Sequence, residues 1–99
     1  MAFNMTQKED VWALEGRIDA TTSESFQETL LVAVKKTKAD IILDCKNLDF
    51  VSSAGLRVFL IAQKTMTEKK LSLVLRNVPN SINKVFAMTG FDKFLKIEA

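Results

Sequence analysis

Hydrophobic and polar positions follow two different periods along the chain, and each period predicts a different kind of element. Short apolar runs of strand length recur between polar stretches, the clearest at 11–16 and 40–45. Other segments repeat apolar residues every three or four positions, as amphipathic helices do; Phe26, Leu30 and Val34 are one such face. This pattern predicts strands at 3–5, 11–16, 40–45, 71–75 and 94–97, and helices at 22–36, 54–69 and about 79–90.

The order of these elements predicts the architecture. After an opening pair of strands, helices and strands alternate, which is typical of βαβ units with right-handed crossovers. We therefore expect an α/β fold, a mixed and mostly parallel sheet of about five strands with helices packed on it. The continuous apolar run at 40–45 predicts a central strand that is buried on both faces. A chain of 99 residues without a linker or repeat predicts a single domain over 1–99.

Local signals mark where several elements begin and end. Thr21 and Glu24 have the spacing of a capping box at the start of the first helix. Pro79 suits the first turn of the third helix, and Gly90 suits the left-handed residue that ends it. The strand at 11–16 is expected to end at its glycine, with a loop over 17–22, and the hairpin turn before it is expected at 6–10.

Composition narrows the function classes. The formal net charge is only +2 and the basic residues are scattered, which disfavours nucleic-acid binding. The chain has no histidine, so the Ser-His-Asp and Cys-His catalytic designs and the commonest transition-metal ligand are unavailable. It also lacks a glycine-rich phosphate loop. We therefore expect a binding module rather than an enzyme, without a metal or cofactor.

Two further features bear on the compartment. The single cysteine, Cys45, permits no internal disulfide and is interpreted as an inert buried thiol in a reducing environment. The first residues show no signal-peptide pattern, and no apolar run is long enough to span a bilayer. These observations predict a cytoplasmic protein without direct membrane insertion.

The segment 49–60 contains the candidate functional chemistry. Ser52 and Ser53 lie where an apolar strand gives way to a helix beginning near Ala54. A serine there either caps the unsatisfied backbone N–H groups or accepts a phosphate, which the positive end of the helix dipole favours. The first half of this helix is apolar almost all round, so either a second layer covers it as core or part of it is exposed to a partner. In the second case, exposed Leu56, Val58 or Leu60 beside the serines would form a docking patch.

The chain resembles the STAS domain family, in particular the small bacterial anti-sigma factor antagonists. The resemblance covers nearly all of the sequence and rests on segments that occur in the family's order, at 16–19, 42–44, 48–56 and 85–91. In that family, a serine at the start of the second helix is phosphorylated by a partner that is both an anti-sigma factor and a serine kinase. A metal-dependent serine phosphatase removes the phosphate.

Alignment with that family assigns roles to individual residues. Matching Gly55, Leu56 and Phe50 implies that Ser53 is the phosphoacceptor, with Ser52 as the runner-up. Ser52 occupies a position that is often aspartate in the family, and from its local pattern it is interpreted as a cap or turn residue. Asp19 is expected near the acceptor, although a solvated loop carboxylate or a cap competing with Thr21 would look the same in sequence. The expected partner-binding residues are Asp19, Ser52, Ser53, Ala54, Gly55, Leu56, Arg57 and Leu60.

The resemblance implies an anti-sigma factor antagonist that binds the anti-sigma factor when unphosphorylated and is released by phosphorylation at Ser53. It would thereby regulate transcription indirectly. An alternative is a STAS subunit of a membrane transport assembly that docks on a permease without being phosphorylated. The hydroxyl at the helix start and the lack of an attached transmembrane segment favour the first interpretation.

Overall fold

The computed structural model describes residues 3–98. All eight predicted elements are present in the predicted order, and a short 3-10 helix is added near the end. The elements are β1 (Phe3–Lys8), β2 (Val11–Ile18), α1 (Ser23–Lys36), β3 (Ile41–Val51), α2 (Ser53–Glu68), β4 (Leu73–Arg76), α3 (Asn80–Thr89), the 3-10 helix (Phe91–Lys93) and β5 (Lys96–Ile97).

The strands form one five-stranded sheet in the order β1-β2-β3-β4-β5. β1 pairs antiparallel with β2, and every other pair is parallel. The predicted mixed, mostly parallel α/β sheet is therefore confirmed, with β1 at an edge and β3 at the centre. The sequence order equals the spatial order, so each helix connects two neighbouring strands.

The helices cover only one face of the sheet. Successive right-handed crossovers that advance in one direction across a sheet all place their helices on the same side. Burial follows this rule, since Ile41, Leu43 and Cys45 of β3 are buried, whereas Ile42 and Asp44 between them are partly exposed. The expectation that this central strand is buried on both faces is therefore wrong, because among residues 3–98 no helix returns to the other face.

Aromatic contacts join the three helices to the sheet and to each other. Phe26 of α1, Phe59 of α2 and Phe86 of α3 are fully buried, and their ring centroids are 5.0 Å and 6.0 Å apart in that order. Phe3 of β1 extends the series, with its ring 5.5 Å from Phe26. Each aromatic pair contributes about 0.5–1.5 kcal/mol beyond the area that it buries. Because Phe59 contacts both neighbours, α2 is the middle helix of the layer.

The ends of several strands differ from the predictions. β1 continues to Lys8, so the hairpin turn is only Glu9 and Asp10. β2 runs through Gly16 to Ile18, because Gly16 adopts φ 101° at an irregularity in the pairing with β3 and the strand continues beyond it. β5 is reduced to two residues because the chain first makes the 3-10 helix, which leaves Phe94 63% exposed.

Gly90 and Lys69 stabilise the C-terminal ends of helices in different ways. Gly90 has φ 79° and ends α3 in the left-handed conformation, as predicted. Lys69, just after α2, donates hydrogen bonds from Nζ to the carbonyl oxygens of Val34, Lys35 and Thr37 at 2.8, 3.0 and 2.6 Å. These carbonyls lie at the C-terminus of α1, where a cation is favourable. The ammonium group therefore ties the end of α2 to the end of α1.

Cys45 is buried on the helix-covered face of β3, as expected for an inert thiol. Burial, with a smaller contribution from the neighbouring Asp44 carboxylate, raises the pKa of the Cys45 thiol to about 12. The reactive thiolate form is therefore strongly disfavoured at neutral pH.

Candidate functional site

The two serines lie at the edge of the sheet where the parallel strands end. The backbone N–H of Ser52 donates a 2.7 Å hydrogen bond to the carbonyl oxygen of Ile18, the last residue of β2. This bond continues the β2–β3 pairing, in which Ile18 is opposite Val51. The start of α2 is therefore fixed at the carboxyl edge of the sheet, which is where open α/β sheets place their functional sites.

Ser52 is the N-cap of α2. Its backbone is extended, with φ −80° and ψ 172°, and its hydroxyl oxygen accepts a 3.2 Å hydrogen bond from the Gly55 N–H. Its carbonyl oxygen accepts the first helical bond, from the Leu56 N–H at 2.9 Å. The interpretation of Ser52 as a cap is therefore confirmed, and its hydroxyl is already engaged in holding the helix.

Ser53 is the first residue of α2 and is exposed. Among residues 3–98, no hydrogen bond to or from its hydroxyl is found within 3.5 Å. Ala54 and Arg57, which follow it in the first turns of the helix, are exposed as well. The structure thus separates the two serines into a capping hydroxyl and a hydroxyl that a modifying enzyme can reach.

Gly55 allows α2 to approach the sheet closely. A Cβ atom at this position would lie 2.6 Å from Cγ2 of Ile18 and 3.0 Å from Cγ1 of Val51. Both distances are shorter than ordinary carbon–carbon contacts. This close approach buries Gly55, so it packs the start of α2 against the sheet and offers no side chain to a partner.

The expected docking patch on α2 is largely absent. Leu56 is only 5% exposed and Val58 only 3%, so for these two residues the structure supports the covered alternative and excludes the docking patch. The reason is the middle position of α2, which buries it against the sheet and against both neighbouring helices. Leu60 is partly exposed, and Ile61 is the large apolar residue of this helix that is exposed.

Asp19 organises the loop that faces the start of α2. Its Oδ1 accepts hydrogen bonds from the backbone N–H groups of Thr21 and Thr22 at 2.9 and 3.1 Å and from the Thr21 hydroxyl at 2.7 Å. This is an Asx-type turn leading into α1. The Thr21–Glu24 capping box is therefore wrong, because the Thr21 hydroxyl donates to Asp19 instead, and Thr22 occupies the N-cap position without a side-chain cap bond.

These bonds keep Asp19 ionised. The hydrogen bond from the Thr21 hydroxyl is the largest cause, and with the backbone donors it lowers the pKa of Asp19 below its usual value near 3.8. Asp19 directly follows Ile18, whose carbonyl oxygen accepts from Ser52, so the backbones of the two predicted site residues are adjacent. The backbone of Asp19 is therefore next to that of Ser52, while its proximity to Ser53 stays a prediction.

Sequence reasoning missed a pair of side chains at this edge. The guanidinium carbon of Arg17 lies 4.5 Å from the ring centroid of Phe50, and Arg17 Nε is 4.0 Å from Asp19 Oδ2. In the sequence, Phe50 was used only to align the chain with the STAS family, and Arg17 was only part of a segment that resembles the family. No local pattern in the sequence pairs these residues; the parallel register of the folded chain sets Arg17 opposite Phe50 in the last residues of β2 and β3.

Comparison with known proteins identifies a family and several relatives of this chain. The model of the STAS domain family matches residues 2–99. A Bordetella bronchiseptica protein named as an anti-sigma factor antagonist, BtrV, is 33% identical over 78 residues, which are 79% of this chain and 67% of that protein. The anti-sigma-B factor antagonist of Listeria monocytogenes is 29% identical over 83 residues, 84% of this chain and 73% of that protein.

Solved structures share the architecture at lower identity. A Thermotoga maritima protein described as an anti-sigma factor antagonist superposes with a TM-score of 0.81 at 18% identity, covering 96% of this chain and 84% of its own. SpoIIAA in its unphosphorylated form gives a TM-score of 0.72 at 18% identity, covering 99% and 88%. The phosphorylated form of Bacillus SpoIIAA gives 0.71 at 19% identity, covering 99% and 92%.

Within residues 3–98, no helix is both long and apolar enough to cross a membrane.

The order of the elements, the paired serines at the start of α2 and the family match over residues 2–99 lead to one conclusion. The chain belongs to the STAS domain family.

Proposed function

We propose that the chain is an anti-sigma factor antagonist whose binding is controlled by phosphorylation of Ser53. The unphosphorylated protein binds an anti-sigma factor and so frees the sigma factor; the phosphorylated protein is released. The single observation that carries the proposal is the division between the serines, since Ser52 is engaged as the cap while Ser53 is exposed as the first helical residue. The names of the relatives from Bordetella and Listeria support the same function.

The partner in this proposal has two activities. It is an anti-sigma factor, and it is also a serine kinase that transfers the γ-phosphoryl group of ATP to the Ser53 hydroxyl, which loses its proton as ADP leaves. A metal-dependent serine phosphatase hydrolyses the phosphate ester and restores the hydroxyl. The chain itself is a binding module in this cycle and catalyses neither step.

The physical effect of the phosphate differs between the fold and the interface. A phosphate adds roughly −1.5 to −2 charges at neutral pH. At the N-terminus of α2 that charge faces the positive end of the helix dipole, which stabilises it by about 0.3–1 kcal/mol. In an interface the same charge must be desolvated or repelled, and a penalty of about 2.7 kcal/mol weakens binding roughly a hundredfold. Phosphorylation therefore removes binding while it leaves the fold intact.

The acceptor can be identified by mass spectrometry. The unsubstituted chain, Ser53→Ala and Ser52→Ala are each incubated with the anti-sigma factor kinase and ATP. We expect one phosphate on the unsubstituted chain and on Ser52→Ala, and none on Ser53→Ala. A phosphate on Ser52 would transfer the acceptor role to that residue. No phosphate on either serine would favour a STAS module that docks without phosphorylation.

Charge exclusion can be tested with a substitution that mimics the phosphate. Ser53→Asp is expected to fold normally but to bind the anti-sigma factor at least about tenfold more weakly, which corresponds to about 1.4 kcal/mol. Ser81→Asp places the same charge at an exposed position in the first turn of α3 and is the matched control. Equal affinities for these two variants would exclude charge at Ser53 as the mechanism.

A further inference from the structure

Arg17 and Phe50 form an exposed pair on the sheet face that the helices leave open. Ile18 and Val51, the next residues of β2 and β3, point towards Gly55 of α2, so Arg17 and Phe50 point away from it. Phe50 keeps 39% of its surface exposed, and the Arg17 side chain keeps 43%. The pair thus combines an always-charged group and an aromatic ring at one accessible spot.

The guanidinium group of Arg17 is held in place by its neighbours, but its hydrogen-bond donors are not occupied by acceptors of the described residues. It lies over the Phe50 ring, which attracts a cation by about 0.5–1 kcal/mol at an exposed site. Its Nε lies 4.0 Å from Asp19 Oδ2, while the other oxygen of that carboxylate receives the donors of the loop. Within residues 3–98, no acceptor forms a hydrogen bond with the guanidinium group. Its donors are therefore oriented by the protein and available to a ligand.

The pair is continuous with the proposed switch. Ile18, which follows Arg17, accepts the backbone hydrogen bond from Ser52, and Ser53 lies two residues beyond Val51, the register partner of Ile18. Arginine and aromatic residues, phenylalanine included, are enriched in protein interfaces, and arginine is one of the residue types at which binding energy is concentrated. A preorganised guanidinium matches a carboxylate, to which it can donate two parallel hydrogen bonds.

We propose that the Arg17–Phe50 pair is a second contact for the anti-sigma factor, which meets it with a carboxylate side chain next to an apolar side chain. This inference rests on the proposed function and specifies the partner's chemistry. It also explains the direction of the switch, because a partner surface that brings negative charge to Arg17 is repelled by a phosphate on Ser53 nearby. Phosphorylation then acts on the same electrostatic contact that attracts the partner.

The test measures affinity for the anti-sigma factor by calorimetry. Arg17→Glu is expected to weaken binding at least about tenfold, as for a residue that contributes strongly to an interface. Lys8→Glu makes the same charge change at an exposed position at the far end of the β1–β2 hairpin and is expected to stay within about twofold. Equal affinities for Arg17→Glu and Lys8→Glu would overturn the inference.

One more variant, a panel of partner substitutions and the unsubstituted chain separate a lost contact from a misfolded protein and from a failed function. Arg17→Gln removes the charge without placing a second carboxylate beside Asp19, and it is expected to weaken binding less than Arg17→Glu but more than Lys8→Glu. Carboxylate-to-lysine substitutions across the partner surface are expected to include one that restores binding to Arg17→Glu; if none does, the acidic contact is excluded. If the unsubstituted chain does not bind the anti-sigma factor at all, the proposed function itself fails.

Discussion

At the scale of single residues, neighbouring side chains of the same type have different roles because their backbone positions differ. Ser52 is extended and turns its hydroxyl back to the Gly55 N–H, whereas Ser53 is already helical and turns outward. From the sequence, Ser52 was interpreted as a cap or turn residue and Ser53 as the phosphoacceptor. The role of Asp19 was left open, because a residue that shapes the site, a solvated carboxylate and a helix cap would look the same in the sequence. Its hydrogen bonds assign it to the turn that begins α1.

The lowered pKa of Asp19 predicts a pH dependence of stability. Because the folded-state pKa lies below the usual value near 3.8, the ionised carboxylate stabilises the fold above that pH, and this contribution is lost as the pH falls through the folded-state pKa. We expect Asp19→Asn to have a lower urea midpoint than the unsubstituted chain by a constant amount above about pH 5, and the difference should shrink below about pH 4. Asp49→Asn, at an exposed position on β3, controls for the loss of one negative charge.

A difference that stays constant down to pH 3 would mean that the charge of Asp19 does not hold the turn.

At the scale of elements, the position of α2 depends on its close approach to the ends of β2 and β3. The sequence predicted this helix to within one residue at each end, since it begins at Ser53 and ends at Glu68. It did not reveal that the helix lies between two others, which buries Leu56 and Val58. An apolar surface all round a helix indicates burial on several sides, but it does not say which neighbours provide it.

Gly55→Ala tests this close approach. The added Cβ would lie 2.6 Å from Ile18 Cγ2, and overpacking of this kind typically costs about 1–3 kcal/mol. Alanine favours a helix over glycine by up to about 1 kcal/mol, so we expect a net loss of roughly 1–2 kcal/mol in the free energy of unfolding, measured by urea denaturation. Ser53→Ala, at an exposed position in the same turn, should leave stability unchanged or slightly higher. A Gly55→Ala variant more stable than the unsubstituted chain would show that Ile18 can move to accommodate the added methyl group without a loss of stability.

At the scale of the whole molecule, one face of the sheet carries all three helices and the carboxyl edge carries the candidate site. Arg17 and Asp19 come from the end of β2 and the residue that follows it, Ser53 comes from the start of α2, and the parallel pairing of β2 with β3 brings these two segments to that edge. Buried aromatic contacts run through the helix layer behind them. This rigid support explains why a charge added at the edge is expected to change the surface rather than the fold.

Amide NMR spectra of the chain before and after phosphorylation test that expectation. We expect shifts confined to the edge, in residues 17–22 and 50–57, because the phosphate replaces solvent contacts and breaks no core contact. The free energy of unfolding should stay within about 1 kcal/mol of its original value, the size of a helix-dipole interaction. Shifts that extend to α3 or β5 would contradict a surface mechanism and indicate a rearranged core.

Local signals in the amino-acid sequence were enough to predict the order of the elements, the mostly parallel sheet, the left-handed residue Gly90 that ends α3 and the start of α2 at the two serines. These follow from hydrophobic period, turn residues and helix-end preferences, which act over a few neighbouring positions. Other features became visible only in the folded chain. One face of the sheet is open, and Leu56 and Val58 are buried. The turn at Asp19, and not a capping box, leads into α1, and the guanidinium group of Arg17 lies over the ring of Phe50. Each of these depends on which distant segment packs alongside, and a local pattern carries no information about that partner.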